Sequence, residues 1–290
     1  MIQLIASDMD GTLLDEHMHI SEENIAAIRY AQEKGIQFMV CTGRNITEAL
    51  PALNDAKLTC PMITLNGAQA FDQNHNVLFT VEISKETALE VMHVFEKYNV
   101  YYEVSTNQGT FSENLARRIE TFAAFLSQRL PHLTYQMAIA MTSARFESLP
   151  IKIVENMKEY ILQEEIKVLK IIGFNNTEPQ ILDKVSADLA DQPKIHITSS
   201  GTNNIEINHI DAQKGIAVKK IAEMFNIPLS QVMTIGDNYN DLSMIQEAGV
   251  SFAMENAVDE LKQAAKYIAD TNIHNGVGKA IRRAIDENLS

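Results

Sequence analysis

The chain has 290 residues, 46% hydrophobic and 21% charged, and its 24 Lys and Arg against 38 Asp and Glu leave a net charge of −14. That length and composition suit a soluble globular protein of one large or two modest domains and exclude a disordered polymer. The acidic balance argues against nucleic acid or an anionic membrane as the main partner, because both attract basic surfaces. Two cysteines, Cys41 and Cys60, cannot build a disulfide framework, and Cys41 in the apolar run Phe38–Cys41 reads as a buried free thiol. No secretory pattern opens the chain and no apolar run approaches the ~20 residues that span a bilayer, so a cytoplasmic protein is expected.

In chain order, Ile2 to Ala6 predicts a short buried strand that ends at Ser7-Asp8. Ser21 is placed to cap a helix with Glu22 and Glu23 in its first turn, and Gly35 follows where a helix stops. Ile36 to Cys41 is the next strand, which makes a βαβ unit and hence a parallel sheet. A helix from Ile46 to Asn54 and a strand over Met62–Leu65 repeat the pattern, and Ala68–Phe71 with Val77–Val81 read as a hairpin. From Ser84 to Asn208 the alternation breaks down. Helices are expected over Lys85–Tyr98, Leu115–Arg129 and Pro179–Ala190, and strands over Val100–Val104, Val168–Phe174, Ile195–Ser199 and Asn204–Ile207. From Lys214 the α/β alternation returns, with strands at Val232–Ile235 and Val250–Ala253 and closing helices around Leu261 and Ile281. The expected fold is therefore an α/β, Rossmann-like parallel sheet with helices on both faces, formed by residues 1–83 and 209–290. An α+β unit, residues 84–208, is inserted in it.

The polar clusters fall where strands end. Asp8-Met9-Asp10-Gly11-Thr12 sets two carboxylates on one side of an extended chain, and crowded carboxylates need a cation or split pKa values. Thr42-Gly43-Arg44 follows the second strand and resembles an anion cradle at a helix start, and Asn66-Gly67-Ala68 is a third such loop. Lys214 opens a helix, a position where a cation opposes the helix dipole, which hints that it faces an anion. Gly236-Asp237-Asn238-Tyr239-Asn240-Asp241 adds an oxygen-rich loop suited to a hard cation. Singly, each of these is also compatible with a surface turn, a helix cap or a solvated lysine. In a parallel sheet, however, all strand C-termini share one edge, where ligands of open α/β sheets bind, so the loops would converge. His17-x-His19 lacks a partner at metal-site spacing, and Gly276-Val277-Gly278-Lys279 lacks the earlier glycine of a P-loop.

At these residues the sequence resembles the haloacid dehalogenase-like (HAD) superfamily, and more closely its Cof-type phosphatases with a large α+β cap, class IIB. Asp8-x-Asp10-Gly11-Thr12-Leu13 looks like motif I, Thr42-Gly43-Arg44 like motif II, Lys214-Gly215 like motif III and Gly236-Asp237-x-x-Asn240-Asp241 like motif IV. The resemblance implies a phosphoric monoester hydrolase in which Asp8 attacks phosphorus and Asp10 serves as general acid and base, which asks for a raised pKa. It implies Mg²⁺ held by Asp8, the Asp10 backbone carbonyl and Asp237. It implies phosphate binding by Met9, Thr42, Gly43, Lys214 and Asn240, with Asp241, Arg44 and Asn66 in support. The expected partner is a small phosphorylated metabolite, most plausibly a sugar phosphate, with no nucleic acid and no membrane. A phosphomutase of the same fold and a catalytically silent ligand-binding regulator are the alternatives. The insert, joined by connections near Ile83 and His209-Ile210, is expected to be a hinged cap.

Overall fold

The structure, a computed structural model, describes residues 1–130, 132–144 and 151–289. The first strand, β1 (Leu4–Ser7), is buried along its whole length, and a tight turn over Met9–Leu13 follows it. Ser21 caps α1 (Glu22–Glu33) by accepting the Asn24 N–H, and Gly35, at φ +79°, ends it before β2 (Gln37–Cys41). Asn45 and Glu48 form a reciprocal capping box at the start of α2 (Ile46–Asp55). β3 (Met62–Thr64), β4 (Gln69–Phe71) and β5 (Val77–Thr80) complete the first half.

The middle of the chain holds α3 (Lys85–Lys97), β6 (Tyr101–Thr106), β7 (Gly109–Ser112), α4 (Leu115–Arg129), α5 (Tyr135–Ala144), β8 (Ile151–Ile153), α6 (Met157–Ile161), β9 (Val168–Phe174), α7 (Ile181–Leu189), β10 (Ile195–Thr198) and β11 (Asn204–His209). The last part runs α8 (Lys214–Met224), β12 (Val232–Gly236), α9 (Leu242–Glu247), β13 (Val250–Ala253), α10 (Asp259–Ala264), β14 (Tyr267–Ile268) and α11 (Gly276–Asp286).

Two compact units result: residues 1–81 with 210–290, and residues 82–209. The boundaries differ by one or two residues from the 83/84 and 208/209 expected from the sequence. The reason is pairing: Ile83 already bridges Val168, and His209 still pairs with Ile195.

The first unit is built on an eight-stranded sheet in the order β14-β13-β12-β1-β2-β3-β4-β5, parallel from β14 to β3 and antiparallel over β3, β4 and β5. It is a mixed α/β fold, and alternate side chains of its central strands enter two separate cores. Ile5, Phe38 and Val40 pack with Ile28 of α1, Leu53 of α2 and Ile281 of α11. Leu4, Ala6, Met39 and Cys41 pack with Val218 and Ile221 of α8 and Met244 of α9. Period-two alternation into two helix layers puts helices on both faces and leaves the sheet's C-terminal edge to loops.

The second unit has a six-stranded sheet, β10-β11-β9-β6-β7-β8, with one core in which Phe95 of α3, Ile161 of α6 and Val185 of α7 meet Val104, Ile171 and Ile207. Among the described residues, no helix is long and apolar enough to cross a membrane.

Candidate active site

At the end of β1 the chain turns sharply. Asp10 (φ −79°, ψ 119°) and Gly11 (φ 76°, ψ 0°) occupy the two central positions of a type II turn, and the second of these requires positive φ. A Cβ on Gly11 would also fall 2.4 Å from Oδ2 of Asp237, so this glycine serves both backbone and neighbour. The turn brings Asp8, 7% exposed at its side chain, beside the loop that follows β12.

Lys214 occupies the first turn of α8 with no exposed surface, and its Nζ donates to Oδ1 of Asp8 and to Oδ1 of Asp241, each at 2.6 Å. Burial alone would lower its pKa, but Asp241 and Asp8 outweigh that and push it well above the usual lysine range. Asp241 accepts the N–H groups of Asp237 (2.9 Å) and Asn238 (3.1 Å) on Oδ2. One carboxylate therefore fixes both the lysine and the loop. Asp237 accepts the Thr12 hydroxyl at 2.9 Å.

Asp8, Asp237 and Asp241 offer carboxylate oxygens all within 4.8 Å of one another. Three carboxylates against one ammonium leave surplus negative charge in a buried place. Burial pushes Asp8 up to about 7, with Lys214 opposing and Asp241 and Asp10 adding to the rise. Burial and the neighbouring Asp8 and Asp241 also hold Asp237 well above the usual carboxylate range. The group shares its protons as one cluster. Anionic oxygen donors with excess negative charge fit a hard divalent cation such as Mg²⁺. Because both oxygens of Asp241 are engaged by Lys214 and backbone amides, Asp8 and Asp237 are the side chains best placed to ligate it.

Asp10 lies outside that cluster of side chains. Its two oxygens accept from Nε and a terminal nitrogen of Arg44, both at 2.7 Å. Burial opposes the Arg44 charge, but the bond to Asp10 and the charges of Asp10, Glu48 and Asp8 more than restore it. The structure thus sets Asp10, which the resemblance implies to be a general acid and base, in a bidentate fork on Arg44.

The remaining expected residues distribute as follows. Buried Thr42 accepts the Arg44 N–H on its hydroxyl at 3.2 Å, and its carbonyl accepts the Asn66 N–H at 3.0 Å, so the Thr42-Gly43-Arg44 loop and the Asn66 loop hold each other. Asn240 donates to Oδ1 of Asn66 at 3.2 Å, which ties the loop after β12 to the loop after β3. The Met9 side chain is fully buried among core residues, so only its backbone is available to a phosphate. Thr12 is the contact that sequence reasoning missed. Its signal was there, a hydroxyl within the motif that carries the two aspartates.

Fold and site together define an α/β protein with a lysine-bridged acidic centre at the C-terminal edge of its parallel sheet. The family described as haloacid dehalogenase-like hydrolase matches residues 5–281. The chain is 32% identical over 281 residues to the 5-amino-6-(5-phospho-D-ribitylamino)uracil phosphatase YcsE of Bacillus subtilis, covering 97% of this chain and 95% of the relative. It is 30% identical over 277 residues to YwtE of the same organism, described by the same activity, covering 95% and 96% of the two chains. Among solved structures, a haloacid dehalogenase-like hydrolase from B. subtilis superposes with a TM-score of 0.87 at 28% identity, covering 97% of this chain and 99% of that one. The chain belongs to the haloacid dehalogenase-like hydrolases. Within that family it is a phosphatase, a phosphoric monoester hydrolase.

Proposed function

We propose that this phosphatase is Mg²⁺-dependent, acts on small phosphorylated metabolites of the sugar or sugar-alcohol phosphate class, and works through an aspartyl-phosphate on Asp8. The observation that carries the reading is the buried Lys214 ammonium at 2.6 Å from both Asp8 and Asp241, with Asp237 in the same cluster. A carboxylate fixed by a buried cation is an oriented nucleophile, and the same cation is suited to phosphoryl oxygens. The substrate class rests on the phosphorylated ribityl chain in the names of the two relatives, which supports a polyhydroxylated phosphate ester here.

In the first step an Asp8 oxygen bonds to phosphorus, the ester bond breaks, and the leaving oxygen takes a proton from Asp10. In the second, water gives a proton to Asp10 and attacks phosphorus, which releases phosphate and restores Asp8. The Arg44 fork orients the Asp10 carboxyl group for these transfers. Thr42, the backbone of Met9 and Gly43, Lys214 and Asn240 bind the phosphoryl oxygens, with Asn66 holding Asn240. Mg²⁺, when held by Asp8, Asp237 and the Asp10 carbonyl, neutralises charge on the phosphoryl group. The inserted unit, joined to the first by two connections of chain, serves as a cap.

The test is phosphate release from p-nitrophenyl phosphate by EDTA-treated protein with Mg²⁺ added back, followed by a panel of sugar and sugar-alcohol phosphates. Asp8→Asn, nearly isosteric but a poor nucleophile, should retain no activity above background in folded protein. Restoration by Zn²⁺ but not Mg²⁺, or substantial turnover by Asp8→Asn, would overturn the reading.

A further inference from the structure

Lys214 has to meet two carboxylates with the tip of a long, flexible side chain, from the start of a helix whose dipole opposes its charge. The helix itself offers little help. Its N-cap residue, Gln213, makes no side-chain cap, so the first N–H groups of α8 need acceptors from elsewhere. Two other elements close on this helix start, one on each side of the lysine.

On the C-terminal side, the Gly215 N–H donates to Oγ of Ser243 in α9 at 2.9 Å. The two backbones approach closely there: a Cβ on Gly215 would fall 2.4 Å from the Ser243 carbonyl oxygen and 2.9 Å from the Met244 nitrogen. On the N-terminal side lies Gly67, buried in the loop after β3. A Cβ on Gly67 would fall 2.6 Å from the Gln213 oxygen and 2.8 Å from the Gln213 carbonyl carbon. Three successive positive φ values, 51° at Leu65, 60° at Asn66 and 105° at Gly67, turn the loop towards Gln213. The Leu65 N–H on the Arg44 carbonyl at 2.9 Å and the Asn66 N–H on the Thr42 carbonyl at 3.0 Å tie that loop down.

A peptide unit is planar from one Cα to the next. The Gln213 carbonyl shares its plane with the nitrogen and Cα of Lys214, and the Gly215 N–H shares its plane with the Cα and carbonyl of Lys214. Gly67 bears on the first plane, and Ser243 binds the second. With both planes held, φ and ψ of Lys214 are held, and so is the direction in which its side chain leaves the backbone. Asp241, two residues before Ser243, takes the far end of the same side chain. One short stretch of chain thus grips the lysine at root and tip.

We propose that Gly67 and Ser243 are positioning residues that seat the Lys214 backbone, so that its ammonium meets Asp8 and the phosphoryl group. The proposal rests on the reading of Lys214 given above. Both residues act through Lys214, and neither is assigned a contact with substrate.

The test reads the ammonium itself, in metal-free protein. Buried and bonded to two carboxylates, the Lys214 ammonium should exchange its protons slowly enough to give a ¹H–¹⁵N correlation in lysine-labelled protein, identified by its absence from Lys214→Met. Ser243→Ala removes the acceptor of the Gly215 N–H, and the resonance should shift or broaden. Its kcat/KM for p-nitrophenyl phosphate with Mg²⁺ should fall by about tenfold or more, since a misplacement of about 1 Å can cost a hundredfold. Ser243→Thr keeps the hydroxyl and should return both readouts towards wild type, which a mere loss of packing would not predict. Gly67→Ala crowds the Gln213 carbonyl and should move the same resonance; if that variant does not fold, the two Ser243 variants carry the test. A wild-type protein without the resonance, an unchanged resonance in folded Ser243→Ala, or a Ser243→Thr no better than Ser243→Ala overturns the seat. In each of these cases the role of Lys214 in the reaction stands if Lys214→Met is inactive. Wild-type turnover by Lys214→Met overturns that role, and the seat with it.

Discussion

An ammonium with no exposed surface survives folding only if its charge is answered at contact distance, and Lys214 has two carboxylate oxygens at 2.6 Å to do so. Lys214→Met would leave Asp8 and Asp241 facing each other without a cation. The expected outcome is a loss of about 3–5 kcal/mol in urea unfolding together with the loss of phosphate release. A stability loss under about 1 kcal/mol would mean the site had reorganised around protonated carboxylates. The same crowding predicts a pH dependence of metal-free protein. Burial raises Asp8 from 3.8 in the unfolded chain to about 7 in the fold, so the fold prefers its protonated form. Its contribution to stability is then full below the unfolded value and is lost as pH rises through the folded one. Asp8→Asn carries no such proton, so in EDTA its unfolding free energy should gain on wild type steadily between about pH 4 and pH 8. A difference that is flat or reversed over that window would show Lys214 outweighing burial. The sequence disclosed Lys214 by its awkward place at a helix start. It disclosed nothing of the bond between Asn240 and Asn66, because an asparagine that reaches a distant side chain leaves no local pattern.

At the scale of elements, the loop after β12 shows how little slack the site has. A Cβ on Gly236 would lie 2.5 Å from Cγ and Oδ2 of Asp241, the carboxylate that holds Lys214 and the amides of Asp237 and Asn238. Gly236→Ala should therefore push Asp241 aside and abolish phosphate release, at a cost of about 1–3 kcal/mol as for other overpacked sites. Wild-type turnover by this variant would show that Asp241 is not needed where it stands. Elements with a clean period were legible from the residues, and β9 and β13 fall on the expected bounds of Val168–Phe174 and Val250–Ala253. Those missed lack a period or length. β14 has two residues, and β7 reads as polar Gly109–Ser112. α5 has no charged residue and exposes Tyr135, Met137 and Met141, so its sequence carries no polar face by which to recognise a helix. Asp10 shows the matching limit in the site: its pairing with Arg44 depends on how two strand-end loops meet, which the motif spacing does not encode.

At the scale of the whole molecule, the chain encloses one unit within another. β1 pairs with β2 on one side and β12 on the other, and α1 packs against α11, so residues from both ends of the chain must meet before the first sheet exists. The inserted residues 82–209 have their own sheet and their own apolar core, running from Ile83 to Ile207. Its contacts close within its own length, while the outer unit waits on pairing across the whole insert, a loop-closure cost that grows only slowly with loop length. Separate cores predict separate cooperative transitions. Calorimetry should resolve two endotherms, and residues 82–209 expressed alone should melt cooperatively near one of them. On the proposed function, Mg²⁺ with a phosphate mimic would bind the acidic centre of the outer unit, and by mass action it should then raise that unit's transition by several degrees at about a hundredfold excess over the dissociation constant. Hydrogen exchange assigns the transitions, since amides of β1, β2 and β12 should gain protection with the ligand. A single endotherm whose midpoint moves as a whole, with equal gains in protection across β6, β9 and β11, would show the two cores melting as one.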